Sequence, residues 1–201
     1  MSINRDLWNT KTKSHLHSSY YNLKKFVADE NYLTLKSTEL KLLDNIQNKR
    51  ILHLQCHFGL DTLSLARLGA KKVVGIDLSD VAIENARRIA CDVHLNQTVE
   101  FICCDIYQTE NFVQINDEND LFDIVFTSYG TTKWFPDLNK WAKIIEKYLK
   151  TNGTFLIVDF HPMLWTFDDQ FEILGQYSYF NQGPSLSEII RIDDDCLFFR
   201  L

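Results

Sequence analysis

Five short runs rich in β-branched and aromatic residues alternate with helical patterns along this chain, and that alternation leaves few folds open. The runs are Arg50–Gln55, Lys72–Asp77, Val99–Cys104, Phe122–Thr127 and Thr154–Phe160. Each is too short for a typical helix, so each reads as a strand. Between them, Asp61–Leu68 places Leu63, Leu65, Ala66 and Leu68 ahead of Gly69, which tolerates the left-handed turn that ends a helix. Ser79 is placed to cap a second helix over Asp80–Cys91, with Val81, Ala82, Ile83, Ala86, Ile89 and Ala90 on or beside its buried stripe. A third, Asp137–Lys150, carries Leu138, Trp141, Ile144, Ile145, Tyr148 and Leu149 at spacings of three and four and stops at Thr151-Asn152-Gly153. Alternating strands and helices predict right-handed βαβ units: an α/β fold with a doubly wound, mainly parallel sheet and helices on both faces.

The 201 residues suit one domain, and no repeat or Gly/Ser- or Pro-rich linker divides it. Within it, residues 1–46 read as a helical N-terminal segment with Trp8, Tyr20, Tyr21, Phe26 and Tyr32 scattered through it, a candidate lid. Residues 47–161 form the alternating core, and 162–201 a C-terminal segment on the substrate side. With 45% hydrophobic and 24% charged residues the chain is expected to fold without a partner. A net charge of −6 offers no broad basic surface, so no nucleic-acid partner is expected. No apolar run is long enough for a membrane span and no signal-peptide core opens the chain, which predicts a cytoplasmic protein without a membrane partner. The five cysteines are odd in number and show no CxxC or zinc-type spacing. They are expected to be reduced, mostly buried thiols, with no metal site.

Ligands of doubly wound sheets bind outside the carboxyl ends of the strands, near the point where strand order reverses. The first strand runs into Gln55-Cys56-His57-Phe58-Gly59, a nucleotide-type loop in which Gly59 alone permits a close backbone approach. The second ends at Asp77, followed by Leu78 and Ser79, near the roughly 20-residue spacing at which an acid meets ribose hydroxyls. The third ends at Asp105 and Ile106, an acceptor for an exocyclic adenine amine beside an apolar surface. Thr127, Ser128, Tyr129 and Gly130 follow the fourth, with Trp134 a few residues on, and Asp159 and His161 end the fifth. His53, inside the first strand, is expected to pack or hydrogen-bond locally.

Taken together these residues resemble the class I S-adenosylmethionine-dependent methyltransferases, with their Rossmann-like sheet. The resemblance is to a group whose first loop reads His-Leu-Gln-Cys-His-Phe-Gly, here His53 to Gly59, continuing through Leu60-Asp61-Thr62-Leu63-Ser64. It extends through Val74-Gly75-Ile76-Asp77-Leu78-Ser79, Asp105, Phe122 to Gly130 and Asp159-Phe160-His161-Pro162, with His15, Ser18 and Tyr21 fitting the group's N-terminal pattern. It implies that Gln55, Cys56, His57 and Gly59 meet the methionine part of S-adenosylmethionine, Asp77 and Leu78 the ribose side, and Asp105 and Ile106 the adenine. Thr127, Ser128 and Tyr129 would line the methyl-transfer side. Gln55 and His57 stand where the wider superfamily has small glycines, and His53 where it has an acid.

At the other end, relatives usually complete the sheet with an antiparallel pair. Here either Glu188–Ile192 and Cys196–Leu201 form a short hairpin through Asp193-Asp194-Asp195, or the chain is shortened relative to its relatives, the reading the sequence slightly favours. Shortening would leave an exposed edge and leaves homo-oligomerisation open.

The activity implied is transfer of a methyl group to a nucleophile on a small molecule by in-line displacement, leaving S-adenosylhomocysteine. On the acceptor side, Tyr129 is the candidate positioning group, His161 the candidate proton acceptor, and Tyr21 and Trp134 the candidate substrate contacts. Two rival readings remain: a non-catalytic relative that binds cofactor or a partner, and a nicotinamide-dependent oxidoreductase, against which the single Gly59 and Asp105 argue.

Overall fold

The computed structural model describes residues 2–168, 170–173, 188–192 and 196–200. Three helices come first: α1 (Ser2–His15), α2 (Leu23–Ala28) and α3 (Ser37–Leu43). The alternating core follows as β1 (Arg50–Leu54), α4 (Leu60–Arg67), β2 (Lys72–Asp77), α5 (Asp80–Asp92), β3 (Val99–Cys103), β4 (Phe122–Ser128), α6 (Leu138–Tyr148) and β5 (Leu149–Val158). The five strands form one parallel sheet in the order β3-β2-β1-β4-β5. The order reverses between β1 and β4, so the loops leaving those strands flank the crevice where ligands bind such sheets.

Burial on both faces explains the unbroken apolar strands. Side chains alternate across β1: Ile51 joins a cluster with Leu63, Leu65 and Ile83 of α4 and α5, while Leu52 and Leu54 join Trp141, Ile145 and Tyr148 of α6 on the other face. The Ser79 side chain accepts from the Ala82 N–H and so caps α5 as its sequence predicts. Arg67 at the end of α4 fastens the N-terminal segment to the core, donating to the carbonyls of Phe26 (2.8 Å), Asp29 (3.1 Å) and Tyr32 (2.7 Å).

Two expectations are corrected. Thr151-Asn152-Gly153 does not separate helix from strand: α6 ends at Tyr148 and the chain enters β5 directly, Leu149 pairing with Phe122 before the register jumps to Thr154 against Ile124. The residues between bulge out, with Asn152 left-handed at φ 63°, so the turn-forming residues serve a bulge inside β5, which ends at Val158 and not at Phe160. At the C-terminal end the hairpin is the alternative observed, β6 (Glu188–Ile192) pairing antiparallel with β7 (Cys196–Arg200). It forms a two-stranded sheet of its own and does not extend the main one; residues 193–195 and 201 lie outside the described residues. No helix among the described residues is long and apolar enough to cross a membrane.

Candidate active site

A cavity of about 940 Å³ opens over the carboxyl ends of β1 to β4 and is roofed by the N-terminal segment. Its floor is the loop after β1. Gln55, His57 and Gly59 are all left-handed there, at φ 56°, 52° and 81°. The first two are where the sequence substitutes larger residues for glycine, and holding each in that region costs on the order of 1 kcal/mol or more. The surroundings impose it. The His57 N–H donates to Asp77 Oδ2 (2.8 Å), the Cys56 N–H to the Ile76 carbonyl (2.9 Å), and the imidazole meets Thr12 Oγ1 at 3.3 Å. Gly59 has a further reason to be glycine, because a Cβ would overlap the Phe101 ring of β3.

Asp77 lies at the rim of β2 with one oxygen accepting from His57 N–H and the other from Ser79 N–H at 2.9 Å. Burial pushes its pKa up, partly offset by these donors. A carboxylate oxygen accepts more than one hydrogen bond, so both remain able to receive ribose hydroxyls. Asp105 is nine-tenths buried and caps the turn after β3, its Oδ1 accepting from Tyr107 N–H at 3.0 Å. Its Oδ2 is buried without a hydrogen-bond partner among the described residues, an acceptor facing a cavity wall that also holds Leu78 and Ile106.

The other wall is aromatic and comes from distant parts of the chain. Trp8 and His15 of α1 and Tyr21 pack around the His57 ring at centroid distances of 5.5, 5.1 and 5.6 Å, and Trp8 meets Trp134 at 5.5 Å. Lys11, almost fully buried, lies 5.1 Å from the Trp8 ring. Burial lowers the His15 pKa to about 4 and the His57 pKa well below its usual value, with Lys11 adding to both and His15 to His57, so both rings are neutral near pH 7. Tyr129 follows β4 in a left-handed turn (φ 45°), its N–H donating to the Val158 carbonyl at 2.6 Å.

All the sequence candidates meet in this cavity except Thr127, Asp159 and His161. Thr127 is fully buried inside β4, where its hydroxyl donates to the Leu54 carbonyl at 3.2 Å and ties β4 to β1. His161 accepts from the Met163 N–H and caps the short turn after β5, off the cavity wall. Asp159 fastens the loop after β4, accepting from Gly130 N–H (2.5 Å), Thr132 N–H (3.1 Å) and Thr132 Oγ1 (2.7 Å). Against the upward push of burial, these donors hold it below the usual carboxylate range. His53 packs locally as expected, 2.8 Å from Thr62 Oγ1 and stacked near Phe126. Lys11, Thr34, Lys36 and Asp61 also line the cavity and carry no signal of their own in the sequence, although Asp61 sits inside the first-loop string.

A family model described as a methyltransferase domain matches residues 46–183, the stretch that carries the parallel sheet. The chain belongs to the methyltransferase domain family. An uncharacterized protein of Haemophilus influenzae is 27% identical over 75% of this chain and 58% of the relative's length. Among solved structures, a Methanococcus maripaludis protein assigned as an S-adenosyl-L-methionine-dependent methyltransferase shares the fold with a TM-score of 0.56. It is 16% identical, over 75% of this chain and 63% of that one. The geranyl diphosphate C-methyltransferase of Streptomyces coelicolor, solved with S-adenosyl-L-homocysteine, gives 0.51 at 17% identity over 62% and 44%. The chain thus spans less than two thirds of the length of these relatives.

Proposed function

We propose that this protein transfers a methyl group from S-adenosylmethionine to a nucleophile on a small molecule in the cytoplasm, and that it belongs to the group with the His-Leu-Gln-Cys-His-Phe-Gly first loop. The observation that carries the reading is Asp105 Oδ2, a buried acceptor without a hydrogen-bond partner among the described residues, just past the end of β3, the strand that pairs directly with β2 and its ribose-side Asp77. A buried acceptor left unpaired is costly, and an adenine amine is the donor that this spacing of acids suits. Asp77 and Leu78 would then hold the ribose, Asp105 and Ile106 the adenine, and Gln55 to Gly59 the methionine part.

When bound, S-adenosylmethionine supplies a methyl group on a sulfonium that is already a good leaving group. The chain's residues then have to align and dehydrate. Trp8, His57, Tyr21 and Trp134 close the cavity against water, and Ser128 and Tyr129 face the acceptor side. Alignment of this kind accounts for much of the acceleration available to a displacement with no difficult proton transfer.

The test is calorimetric titration of the whole chain with S-adenosylmethionine and S-adenosylhomocysteine, with NAD as control. Binding near micromolar, about −8 kcal/mol, that is lost in Asp77→Ala supports the reading; a folded chain that binds neither overturns it. Binding without transfer of labelled methyl to a broad acceptor panel would favour a non-catalytic relative.

A further inference from the structure

The acceptor end of the cavity is more acidic and more desolvated than methyl transfer alone requires. Asp61, in the first turn of α4, lines the cavity and accepts from Thr34 Oγ1 at 2.5 Å and Ser128 Oγ at 3.1 Å, leaving lone pairs on both oxygens. Behind it, Glu39 of α3 is 0% exposed, and neither carboxylate oxygen has a well-formed hydrogen bond among the described residues. The Tyr129 phenol lines the cavity, and the Glu39 carboxylate is near enough to add to the upward push that burial gives its pKa. Buried carboxyls are kept without partners only at a cost to folding, so Glu39 calls for a role beyond packing. Two lysines share the cavity, and Lys36 offsets part of the Asp61 charge. Lys36 is exposed and solvated, 5.8 Å from the Tyr20 ring, and Lys11 is on the far wall between Trp8 and Trp134.

We propose that this end takes an amine as the methyl acceptor, its N–H groups donated to Asp61 and to the Tyr129 oxygen, with Glu39 as the positioning residue that accepts the phenol proton. The proposal rests on the methyl-transfer reading and names the substrate class for it. Burial and the Glu39 carboxylate both push the Tyr129 pKa up, so the phenol stays protonated and, with its proton toward Glu39, turns its lone pairs to the cavity. An amine suits that lining. Tyr21 adds a ring face of the kind that attracts a cationic nitrogen, whereas the Tyr20 and Tyr32 rings already meet Lys36 and Lys25 at 5.8 and 4.4 Å. A carboxylate acceptor would meet Asp61 and Glu39 as like charges. In the transfer step the neutral nitrogen's lone pair forms the new C–N bond while the sulfonium's S–C bond breaks and its electron pair returns to sulfur. The proton that the bound ammonium must first shed to expose that lone pair passes to Asp61 and then to water, and the product leaves as the methylated ammonium.

The experiment titrates the chain, loaded with S-adenosylhomocysteine, with phenethylamine, 2-phenylethanol and 3-phenylpropionate, and follows labelled methyl transfer to each. The amine is expected to bind at least tenfold more tightly than the other two and to be the one labelled. Asp61→Asn should weaken amine binding at least tenfold and leave S-adenosylhomocysteine affinity within twofold; if that variant does not fold, Tyr129→Phe, which keeps the ring, carries the same test. Glu39→Gln should lower kcat about tenfold with KM for the amine within twofold, a split that loose packing would not give. Equal or absent amine binding, preference for the alcohol or carboxylate, or loss of S-adenosylhomocysteine affinity in Asp61→Asn overturns the proposal, the last by assigning Asp61 to the amino group of the methyl donor. Failure of the unaltered chain to bind S-adenosylhomocysteine overturns the methyl-transfer reading with it.

Discussion

The two walls of the cavity are built in different ways. On the side of β1 to β3 the groups that face the ligand come from the strand ends themselves, and backbone N–H groups hold them: His57 and Ser79 donate to Asp77, and Tyr107 to Asp105. On the side of β4 and the N-terminal helices the wall is assembled from side chains far apart in sequence, Trp8 against His57 and Trp134, Thr34 against Asp61, Glu39 against Tyr129. The first wall is as rigid as the sheet. The second depends on tertiary packing of a segment fastened by Arg67 and by Asn9, which donates to Asp80 and accepts from Ser79. A conserved kind of ligand suits the first construction and a variable acceptor the second.

The largest effect that would break this contrast is expected at Asp77. Asp77→Ala removes the carboxylate proposed to hold the ribose and also leaves the His57 and Ser79 N–H groups unpaired, each worth about 1–3 kcal/mol when buried. S-adenosylmethionine affinity should fall at least 100-fold, about 2.7 kcal/mol, and urea denaturation should show a loss of stability on the same scale. If affinity falls and stability does not, the carboxylate serves the ligand alone and the wall is less rigid than its hydrogen bonds imply.

Acidification is expected to loosen both walls through buried imidazoles. The His53 pKa is lowered by burial to about 3 beneath the first loop, and that of His15 to about 4, by burial and then Lys11, in the N-terminal helix. A histidine whose folded pKa lies below the unfolded value of about 6.5 binds fewer protons when folded. Its contribution to stability is therefore complete above pH 6.5 and is lost as the pH falls toward 4, by up to about 1.4 kcal/mol per pH unit for each group. Asp61 and Asp77, with raised pKa values, act in the opposite sense, so the quantity to read is the difference between the chain and its His53→Gln and His15→Gln variants. Denaturation at pH 7, 6 and 5 should give a shallower slope for each variant. A slope unchanged by His15→Gln would mean that the N-terminal segment opens and hydrates its histidine before the core yields.

Tyr129→Phe sharpens the comparison from the acceptor side. It keeps the ring against Phe160 and removes the phenol that faces Glu39. Turnover should fall about tenfold, roughly 1.4 kcal/mol, with cofactor affinity within twofold. Loss of cofactor binding instead would move Tyr129 to the other wall.

How much of this could be read from the residues follows the same division. The strand ends carrying Gln55, Asp77, Asp105 and Ser128 were legible because each lies in a contiguous run whose periodicity places it on the sheet. Thr127 was misplaced because one step along a strand turns a side chain to the other face, and the end of a run does not say on which residue the face changes. His161 was misplaced because β5 ends at Val158, before the apolar run does, which leaves the histidine to cap a turn. Glu39 and Thr34 were illegible because a charged residue in a short helix and a hydroxyl residue in a loop both read as solvent-facing. Their burial comes from α3 and the strand of loop before it folding back onto α4 and the loop after β4.

The smallest effect concerns the strain shared by both walls. Gln55 is left-handed at φ 56°, its amide reaches the Thr131 carbonyl only at 3.4 Å, and its Oε1 is buried without a hydrogen bond. Gln55→Gly relieves the dihedral strain and removes the unpaired oxygen, while adding unfolded-state entropy of about 0.5–1 kcal/mol relative to alanine. The balance should favour the variant by about 1 kcal/mol, a rise of roughly 2–4 °C in Tm for a chain of this size. Gln55→Ala supplies the control, because it removes the same side chain and keeps the Cβ that makes the dihedral costly. If glycine is the more stable of the two and binds S-adenosylmethionine more weakly than the unaltered chain, the glutamine is held in a strained turn for what it touches in the cavity. If the two variants match in stability, the left-handed turn is imposed on residue 55 by the hydrogen bonds of its neighbours at little cost, and the departure from glycine in this loop needs no functional reason.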